Sequence, residues 1–396
     1  MNRPNNKEDS YTPPRIPILT MPVWWVVQDT NYGSLFQAYA LQQVLKQLGY
    51  APEWIQVLFS KESWQVKAIH LFKSVYHTLR WPTRLIGRKK RQSFSLHFRK
   101  SHPRYFQDFL DKHLCVAQTV CHSLDELKTE YGTSASCIIG SDQMWIHSDK
   151  QYFLSFMPAG KKIAYAVSAP WSALGSAWKR IARKELPHFT GVSVREWQGV
   201  ELLKRLGIEK TEQCLDPVFL LSQSEWDRMA SPRQEEASYC LGYFLNGYRE
   251  KDIYLRDIEI YCQKRNLALK IIPNQGAECY IPQKYLLTPS PEQFLALFRD
   301  ASCVITNSFH AVVFSMIFKK QFVIIPQKRE RIHQNDRFLS LLHTFNLKDK
   351  IAHTPSEIEK IIGQDIDFSA LEKLVCSLKK NSLTFLSSSL QTSSNV

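Results

Sequence analysis

The sequence predicts an α/β protein with two doubly wound, Rossmann-like domains that face a cleft. Short apolar runs alternate along the chain with longer stretches of helical period, as in β-α-β units with a parallel sheet. A polar stretch, 231–237, separates two such series and is typical of an exposed linker. With 396 residues, of which 44% are hydrophobic and 22% charged, the chain is long enough to bury two cores.

The first unit begins with the apolar run Ile18–Val27. We place its strand at Val23–Val27, because Pro22 cannot donate to a central ladder and suits the approach to a strand. A turn is predicted at Gln28–Gly33. Apolar residues on one face then predict a helix at Ser34–Leu48.

Later apolar runs predict the remaining buried strands at Cys137–Gly140, Ile163–Ser168, Gly191–Val194, Tyr239–Leu245, Leu269–Pro273, Cys303–Thr306 and Phe322–Pro326. Helices are predicted from the end of the third of these strands to Leu206, and in the second series at about 250–264, 291–300, 309–318 and 335–345. The two domains would cover 16–230 and 238–380. Residues 1–15 and the Ser-rich segment 381–396 are predicted to be unstructured tails.

Composition limits the class of protein. The nine cysteines are scattered and never spaced C-x-x-C, which argues against a disulfide framework and a structural zinc site. The N-terminus has no signal-peptide pattern, and no charge-free apolar run reaches the ~20 residues that span a bilayer. We therefore expect a cytoplasmic protein with reduced thiols.

The net charge of +14 is concentrated in one segment. Residues 61–112 carry thirteen Lys and Arg against three acids, and aromatic residues are interleaved with the cations. This basic helical insert has three interpretations: a solvated helical face, which we favour, a peripheral contact with the anionic inner face of a membrane, or a nucleic-acid surface, the least favoured. Sedimentation with anionic liposomes would separate the first two.

Polar residues follow several predicted strands or open the next helix. In order, the blocks are N-Y-G-S at Asn31–Ser34, G-S-D-Q-M-W at Gly140–Trp145, S-V-R-E at Ser193–Glu196, the pair Asp216-Pro217, and S-F-H at Ser308–His310. Taken together in this order, they resemble the characteristic blocks of the polysaccharide pyruvyl transferase family. The resemblance reaches from about residue 29 to about residue 325.

The resemblance implies a fold like that of the two-domain, B-type glycosyltransferases. It also implies an activity, the transfer of a pyruvyl group from phosphoenolpyruvate to two hydroxyls of a sugar to form a cyclic ketal. The substrate would be a bacterial cell-surface or exopolysaccharide glycan, for example a lipid-linked oligosaccharide. Phosphoenolpyruvate would be a co-substrate, with no cofactor and no metal.

His310 is the first candidate for catalysis. It lies in the first turn of a predicted helix after a buried strand, where an imidazole can exchange protons with a substrate at neutral pH. Family members have a histidine at this point, preceded in the best-understood ones by an arginine that holds the donor; here Ser308 takes that place, and its hydroxyl can bind phosphate or carboxylate without bringing charge. A helix cap is the alternative for His310.

Arg195 is the candidate anion clamp, since a guanidinium can grip carboxylate or phosphate with two hydrogen bonds. Its alternative is an ion pair with Glu196 or another acid. Arg337, after the cluster 328–331, could supply further positive charge.

Three further residues complete the candidate site. Asn31 and Gly33 lie where a helix begins and its free N–H groups favour anions, although a plain cap explains them equally well. Asp142 would orient a sugar hydroxyl or act as a base, with a helix cap as its alternative. Asp216 and Pro217 are interpreted as structural.

Two other functions remain open at this point. One is a glycosyltransferase that uses a nucleotide-sugar donor on the same two-domain fold, which Ser308 makes more credible. The other is a non-catalytic relative that binds a glycan or a protein partner. The three functions separate by ligand: phosphoenolpyruvate, a nucleotide sugar, or neither.

Overall fold

The computed structural model describes residues 13–59, 102–234, 237–245, 253–274, 281–327 and 335–394. Within them, the strands form two parallel sheets, one of seven strands and one of four. The α/β class and the two Rossmann-like sheets predicted from the sequence are confirmed. None of the helices in these residues is both long and apolar enough to cross a membrane.

The first sheet has the spatial strand order β3-β2-β1-β4-β5-β6-β7, the doubly wound order with its reversal between β1 and β4. Its strands and helices are β1 (Arg15–Leu19), α1 (Val23–Asp29), α2 (Tyr32–Gln47), β2 (Ala51–Val57), α3 (helical over 102–113), β3 (Val116–Cys121), α4 (Leu124–Tyr131), β4 (Cys137–Ile139), β5 (Lys162–Val167), α5 (Ser176–Glu185), β6 (Gly191–Val194), α6 (Trp197–Arg205), β7 (Thr211–Gln213) and α7 (Gln223–Met229). At the reversal, Ile18 pairs with Ile138.

The second sheet has the order β11-β10-β8-β9, with its reversal between β8 and β10. Its elements are β8 (Tyr239–Phe244), α8 (Leu255–Lys264), β9 (Ala268–Pro273), α9 (Pro291–Asp300), β10 (Cys303–Thr306), α10 (Phe309–Ile317), β11 (Gln321–Ile324), α11 (Asp336–Thr344), α12 (Glu357–Ile362) and α13 (Phe368–Ser394). Each predicted strand and helix of this series is present, with its ends shifted by a few residues at most.

The predicted first strand was wrong. Residues 23–27 belong to α1, and the strand lies earlier, at Arg15–Leu19, where it pairs with β2 on one side and β4 on the other. The residues after Leu19 leave the sheet, and Pro22 occupies the N-cap of α1. Pairing on both sides outweighs the β-propensity of the Val-Trp-Trp-Val-Val run.

The predicted C-terminal tail was also wrong. Residues 368–394 form one helix, α13, whose Phe385, Leu386 and Leu390 are buried. It leaves the second domain and packs on the first sheet, where the Ser382 hydroxyl accepts a 2.9 Å hydrogen bond from the Leu215 N–H. The many serines suggested disorder, but Ser382 and Ser393 are buried, and their hydroxyls donate to the Leu378 carbonyl of the helix and to the Ala135 carbonyl before β4.

Part of the basic insert belongs to the core. Residues 102–113 are helical, and Phe106, Phe109 and Leu110 pack into the same core as α2. The predicted insert at 61–112 therefore includes a structural helix at its end. Most of the insert, including the proposed membrane contact, and the cluster 328–331 lie outside the described residues.

An aromatic seam joins the two domains beside α2. The ring of Tyr32 stacks on Phe294 of α9 with 4.1 Å between the centroids, and Phe36 meets Phe314 of α10 edge-on at 5.3 Å. The Tyr32 hydroxyl donates to the Pro289 carbonyl at 2.6 Å and also contacts His102. Because α2 follows β1 and α10 follows β10, this seam brings the carboxyl ends of both sheets together.

Candidate active site

The candidate site lies where the reversal points of the two sheets meet. In the first sheet, α2 follows β1 and the segment with Ser141 and Asp142 follows β4. In the second sheet, α10 follows β10 and begins with Phe309 and His310. Ligands of doubly wound sheets bind at such points, so the topology alone selects this junction.

Arg195 is buried in the site and already paired. Its Nε donates to Glu196 at 3.0 Å and its Nη1 to Asp216 at 2.6 Å, while its guanidinium lies 4.0 Å above the ring of Phe309. The ion-pair alternative for Arg195 is therefore observed. Its third nitrogen, Nη2, is buried and has no hydrogen-bond partner among the described residues.

Asp216 is the centre of the polar cluster, although the sequence suggested only a structural role. One carboxylate oxygen, Oδ2, accepts from Arg195 and from the Ser141 hydroxyl at 3.2 Å, and lies 3.4 Å from His310 Nε2. The other, Oδ1, accepts from the Val218 N–H at 3.0 Å. A single buried carboxylate thus links residues of both domains.

His310 faces the first domain from the first turn of α10. Its Nε2 is directed at Asp216, and its Nδ1 lies against Gly33 at the start of α2. A Cβ on Gly33 would lie only 2.0 Å from Nδ1. The glycine is therefore needed for the close approach of the histidine ring, whereas the sequence suggested the close approach of a ligand.

Asp142 is held by its own domain. It accepts a hydrogen bond from the Ser34 hydroxyl, and its second oxygen accepts from the Gln143 N–H at 2.8 Å. Its φ of +77° lies in the left-handed region, which an aspartate adopts at some cost. Asp142 does not cap a helix, so the structure does not support the helix-cap alternative for this residue.

Asn31 and Ser308 are helix caps. The Asn31 side chain accepts from the Ser34 N–H at 3.2 Å at the start of α2, and the Ser308 hydroxyl accepts from the Ala311 N–H at 3.4 Å at the start of α10. Capping uses only the oxygens of these side chains as acceptors, and the Ser308 O–H and the Asn31 NH2 can still donate to an anion. Contact of these two side chains with a ligand stays a prediction.

Arg337 comes from α11 and is buried beside Arg195. Both residues line a cavity of about 20 Å³ between the first sheet and α11, together with Asp216 and Phe309. This is room for about one water molecule.

A comparison with models of protein families shows which family the chain belongs to. The model of the polysaccharide pyruvyl transferases matches residues 31–329. The chain belongs to the polysaccharide pyruvyl transferase family. The matched region spans the candidate residues up to Ser308 and His310 and ends before Arg337. No curated protein sequence matches the chain.

Solved structures are similar only in outline. They include a UDP-GlcNAc 2-epimerase from Methanocaldococcus jannaschii (9% identity, 91% of each chain covered, TM-score 0.45). A glycosyltransferase from Streptomyces nogalater has 9% identity, 94% of this chain and 95% of its own covered, and a TM-score of 0.40. The N-terminal domain of trehalose-6-phosphate phosphatase from Candida albicans has 10% identity, 96% and 99% covered, and a TM-score of 0.47.

The charges of this transferase site are strongly coupled. Burial alone would raise the pKa of the Asp216 carboxyl, but His310 and Arg195 hold it below its ordinary value. Burial and, second to it, the positive charge of Arg195 lower the pKa of Arg337 to about 10, while Asp142 and Glu196 oppose the shift. Two buried guanidinium groups therefore line the same small cavity.

The sequence missed four residues of the site. They are Ser34, Ser141, Glu196 and Asp216. Three of them bond to a predicted residue, Ser34 to Asp142 and both Glu196 and Asp216 to Arg195, whereas Ser141 bonds to Asp216. Glu196 is fixed in turn by the Ser168 hydroxyl at 2.7 Å and the Trp171 indole N–H at 2.8 Å. Each of the four belongs to one of the blocks that carry the family resemblance, so their membership in those blocks was the available signal.

Proposed function

We propose that this transferase takes a pyruvyl group from phosphoenolpyruvate and joins it as a ketal to two hydroxyls of one sugar in a bacterial surface glycan. The main observation in support of this proposal is the pair of buried guanidinium groups, Arg195 and Arg337. They come from opposite domains and line one cavity. Family membership supports the transferase class. Glu196 and Asp216 line the same cavity and balance the two arginine charges, so the support for an anionic donor is the Arg195 Nη2, which has no hydrogen-bond partner among the described residues.

An anion between the two arginines would remove an unfavourable arrangement. Burial, and second the charge of Arg195, disfavour the charged form of Arg337 and lower the pKa of its guanidinium. A bound carboxylate or phosphate would attract both groups and accept from the unused Nη2 of Arg195. Phosphoenolpyruvate carries one of each anionic group.

The reaction needs balanced proton transfers. The C3 methylene of phosphoenolpyruvate gains a proton and becomes a methyl group, the two sugar oxygens form bonds to C2, and the C2–O bond to phosphate breaks. Of the two hydroxyl protons, one balances the proton gained at C3 and the other leaves with phosphate. His310 is placed to exchange one of these protons, and Asp142, held by Ser34, to orient or deprotonate a sugar hydroxyl.

Donor binding requires the site to widen. A cavity of about 20 Å³ cannot hold phosphoenolpyruvate. Hydrogen bonds between α11 and the first domain include those from the Trp197 N–H to the Ser340 hydroxyl at 3.1 Å, from Ser172 to Asp336 at 2.6 Å and from the Gln213 amide to Thr344 at 3.4 Å. Because α11 lines the cavity opposite the first sheet, we expect it to move away from that sheet when the donor enters.

A thermal-shift titration tests the donor. Phosphoenolpyruvate at about 100 times its Kd should stabilise the protein by about 2.7 kcal/mol. The stabilisation should disappear in Arg195→Gln and persist in Arg205→Gln, a matched arginine whose side chain is 76% exposed in α6. Stabilisation by a nucleotide sugar alone would favour glycosyl transfer, and no stabilisation by either class of donor would contradict the proposal.

A further inference from the structure

The two ring nitrogens of His310 lie in different surroundings. Nε2 is buried, and the nearest anion is the Asp216 carboxylate at 3.4 Å. Nδ1 faces Gly33. Because glycine has no side chain, no side chain at this position covers the nitrogen. The ring is therefore oriented by contacts from the first domain on both of its nitrogen sides.

The Asp216 carboxylate is itself held in place. Its Oδ2 accepts from Arg195 at 2.6 Å and from Ser141 at 3.2 Å, and its Oδ1 accepts from the Val218 N–H. These donors favour the ionised carboxylate. An ionised carboxylate repels a nitrogen lone pair and attracts an N–H group, so the proton of a neutral His310 ring is favoured on Nε2.

We infer that Asp216 is a positioning residue that fixes His310 in the Nε2–H form, so that Nδ1 is the nitrogen that exchanges a proton with the substrate. The separation of 3.4 Å is long for a hydrogen bond, as is common for catalytic contacts seen without ligand. The use of Nδ1 in catalysis rests on the proposed function. The position of the proton on Nε2 does not depend on the proposed function.

Asp216 acts here through His310 and not through the substrate. When Nδ1 takes a proton, the ring becomes an imidazolium, and the buried carboxylate stabilises that charge. When Nδ1 gives the proton up, the Nε2–H form is restored. The proton thus enters and leaves at one nitrogen, beside Gly33, while Asp216 stays ionised.

The chain offers a matched control. Glu196 is also a buried carboxylate that grips Arg195, but among the described residues it has no contact with His310. Asp216→Asn removes the charge at Nε2 and one partner of Arg195. Glu196→Gln removes a partner of Arg195 and leaves the surroundings of His310 intact, so the pair separates the two effects.

The experiment is nitrogen NMR of histidine-labelled full-length protein, about two pH units above the ordinary imidazole pKa of about 6.5. His310→Ala assigns the signals of His310. We expect a protonated Nε2 and a bare Nδ1 in the parent and in Glu196→Gln, and a mixture of the two tautomers in Asp216→Asn.

A bare Nε2 in the parent would overturn the inference, even if Asp216→Asn does not fold. An equal change of tautomer in Glu196→Gln and Asp216→Asn would also overturn it. Since no substrate is present in this measurement, its result is independent of the phosphoenolpyruvate titration. A failed titration with the expected tautomer would reject the donor and keep the role of Asp216.

Discussion

Asp142 and Asp216 are two buried carboxylates at the same edge of the first sheet, and a helix N-terminus reaches each of them. Ser34 of α2 reaches Asp142, and His310 of α10 reaches Asp216. The first contact lies within one domain. The second crosses from one domain to the other.

The difference separates what is preassembled from what depends on domain closure. Asp142 keeps its partners Ser34 and Gln143 wherever the second domain lies. Asp216 keeps Arg195, Ser141 and Val218, but meets His310 only when the two domains are together. We therefore expect changes at the Asp142 side to alter turnover and local stability, and changes at the Asp216 side to alter turnover and the contact between domains.

The largest effect is expected for His310→Ala. Turnover, measured as phosphate release from phosphoenolpyruvate with an acceptor glycan, should fall by about 10²–10⁴-fold, because a positioned acid–base group is lost. His188→Ala changes an exposed histidine far from the site and should stay near the parent rate. A loss of only a few-fold in His310→Ala would contradict the role of this residue.

Asp216→Asn should lower the free energy of unfolding by about 3–5 kcal/mol near neutral pH, because one partner of a buried ion pair loses its charge. The folded-state pKa of Asp216 lies below its unfolded value of about 3.9, so its stabilisation is present above that pH and is lost as the pH falls. The difference from the parent, measured by urea denaturation, should therefore shrink below pH ~4.

Glu201→Gln is the control for that series. Glu201 forms an exposed ion pair with Arg205, and such pairs contribute about 0–1 kcal/mol. A difference between Asp216→Asn and the parent that is constant with pH would show that the carboxylate charge is not what stabilises the cluster.

Gly33→Ala tests the contact between the two domains at His310, apart from the contacts that hold Asp142 within the first domain. The added Cβ would overlap His310 Nδ1, so the ring and the second domain must shift, at a cost of about 1–3 kcal/mol. Gly175→Ala is the matched control, since nothing lies within 4 Å of a Cβ there. The temperature of thermal unfolding and the turnover should both fall in Gly33→Ala. Both should stay near the parent values in Gly175→Ala.

Ser34→Ala should have the smallest effect, about 1.5 kcal/mol in the free energy of unfolding, because a hydrogen bond to a buried carboxylate is lost while Gln143 still donates to it. Ser315→Ala is the control: that hydroxyl, equally buried, donates to the Ala311 carbonyl of its own helix at 2.7 Å. Equal losses in the two variants, measured by urea denaturation, would mean that the Asp142 contact brings no stability beyond an ordinary hydrogen bond.

The second sheet was predictable because its strands are continuous apolar runs with clear helices between them. β10 and α9 have the predicted limits. In the first sheet, β2 went unpredicted because Pro52 and Glu53 interrupt its apolar pattern. The apolar run Val23–Val27 lies in a helix, because Arg15–Leu19 forms the strand and pairs with a neighbouring strand on each side.

The sequence by itself determined the class of fold and the family, and it named His310, Arg195, Asp142, Gly33 and Arg337 as candidates, because apolar periodicity and short polar blocks are local signals. Only the tertiary structure decided that α13 returns to the first sheet and that Asp216 joins His310 to Arg195. Those contacts join residues up to about 260 positions apart in the chain, from Ala135 to Ser393. No local pattern encodes such a pairing, because it depends on which buried groups the folded chain brings within hydrogen-bond distance.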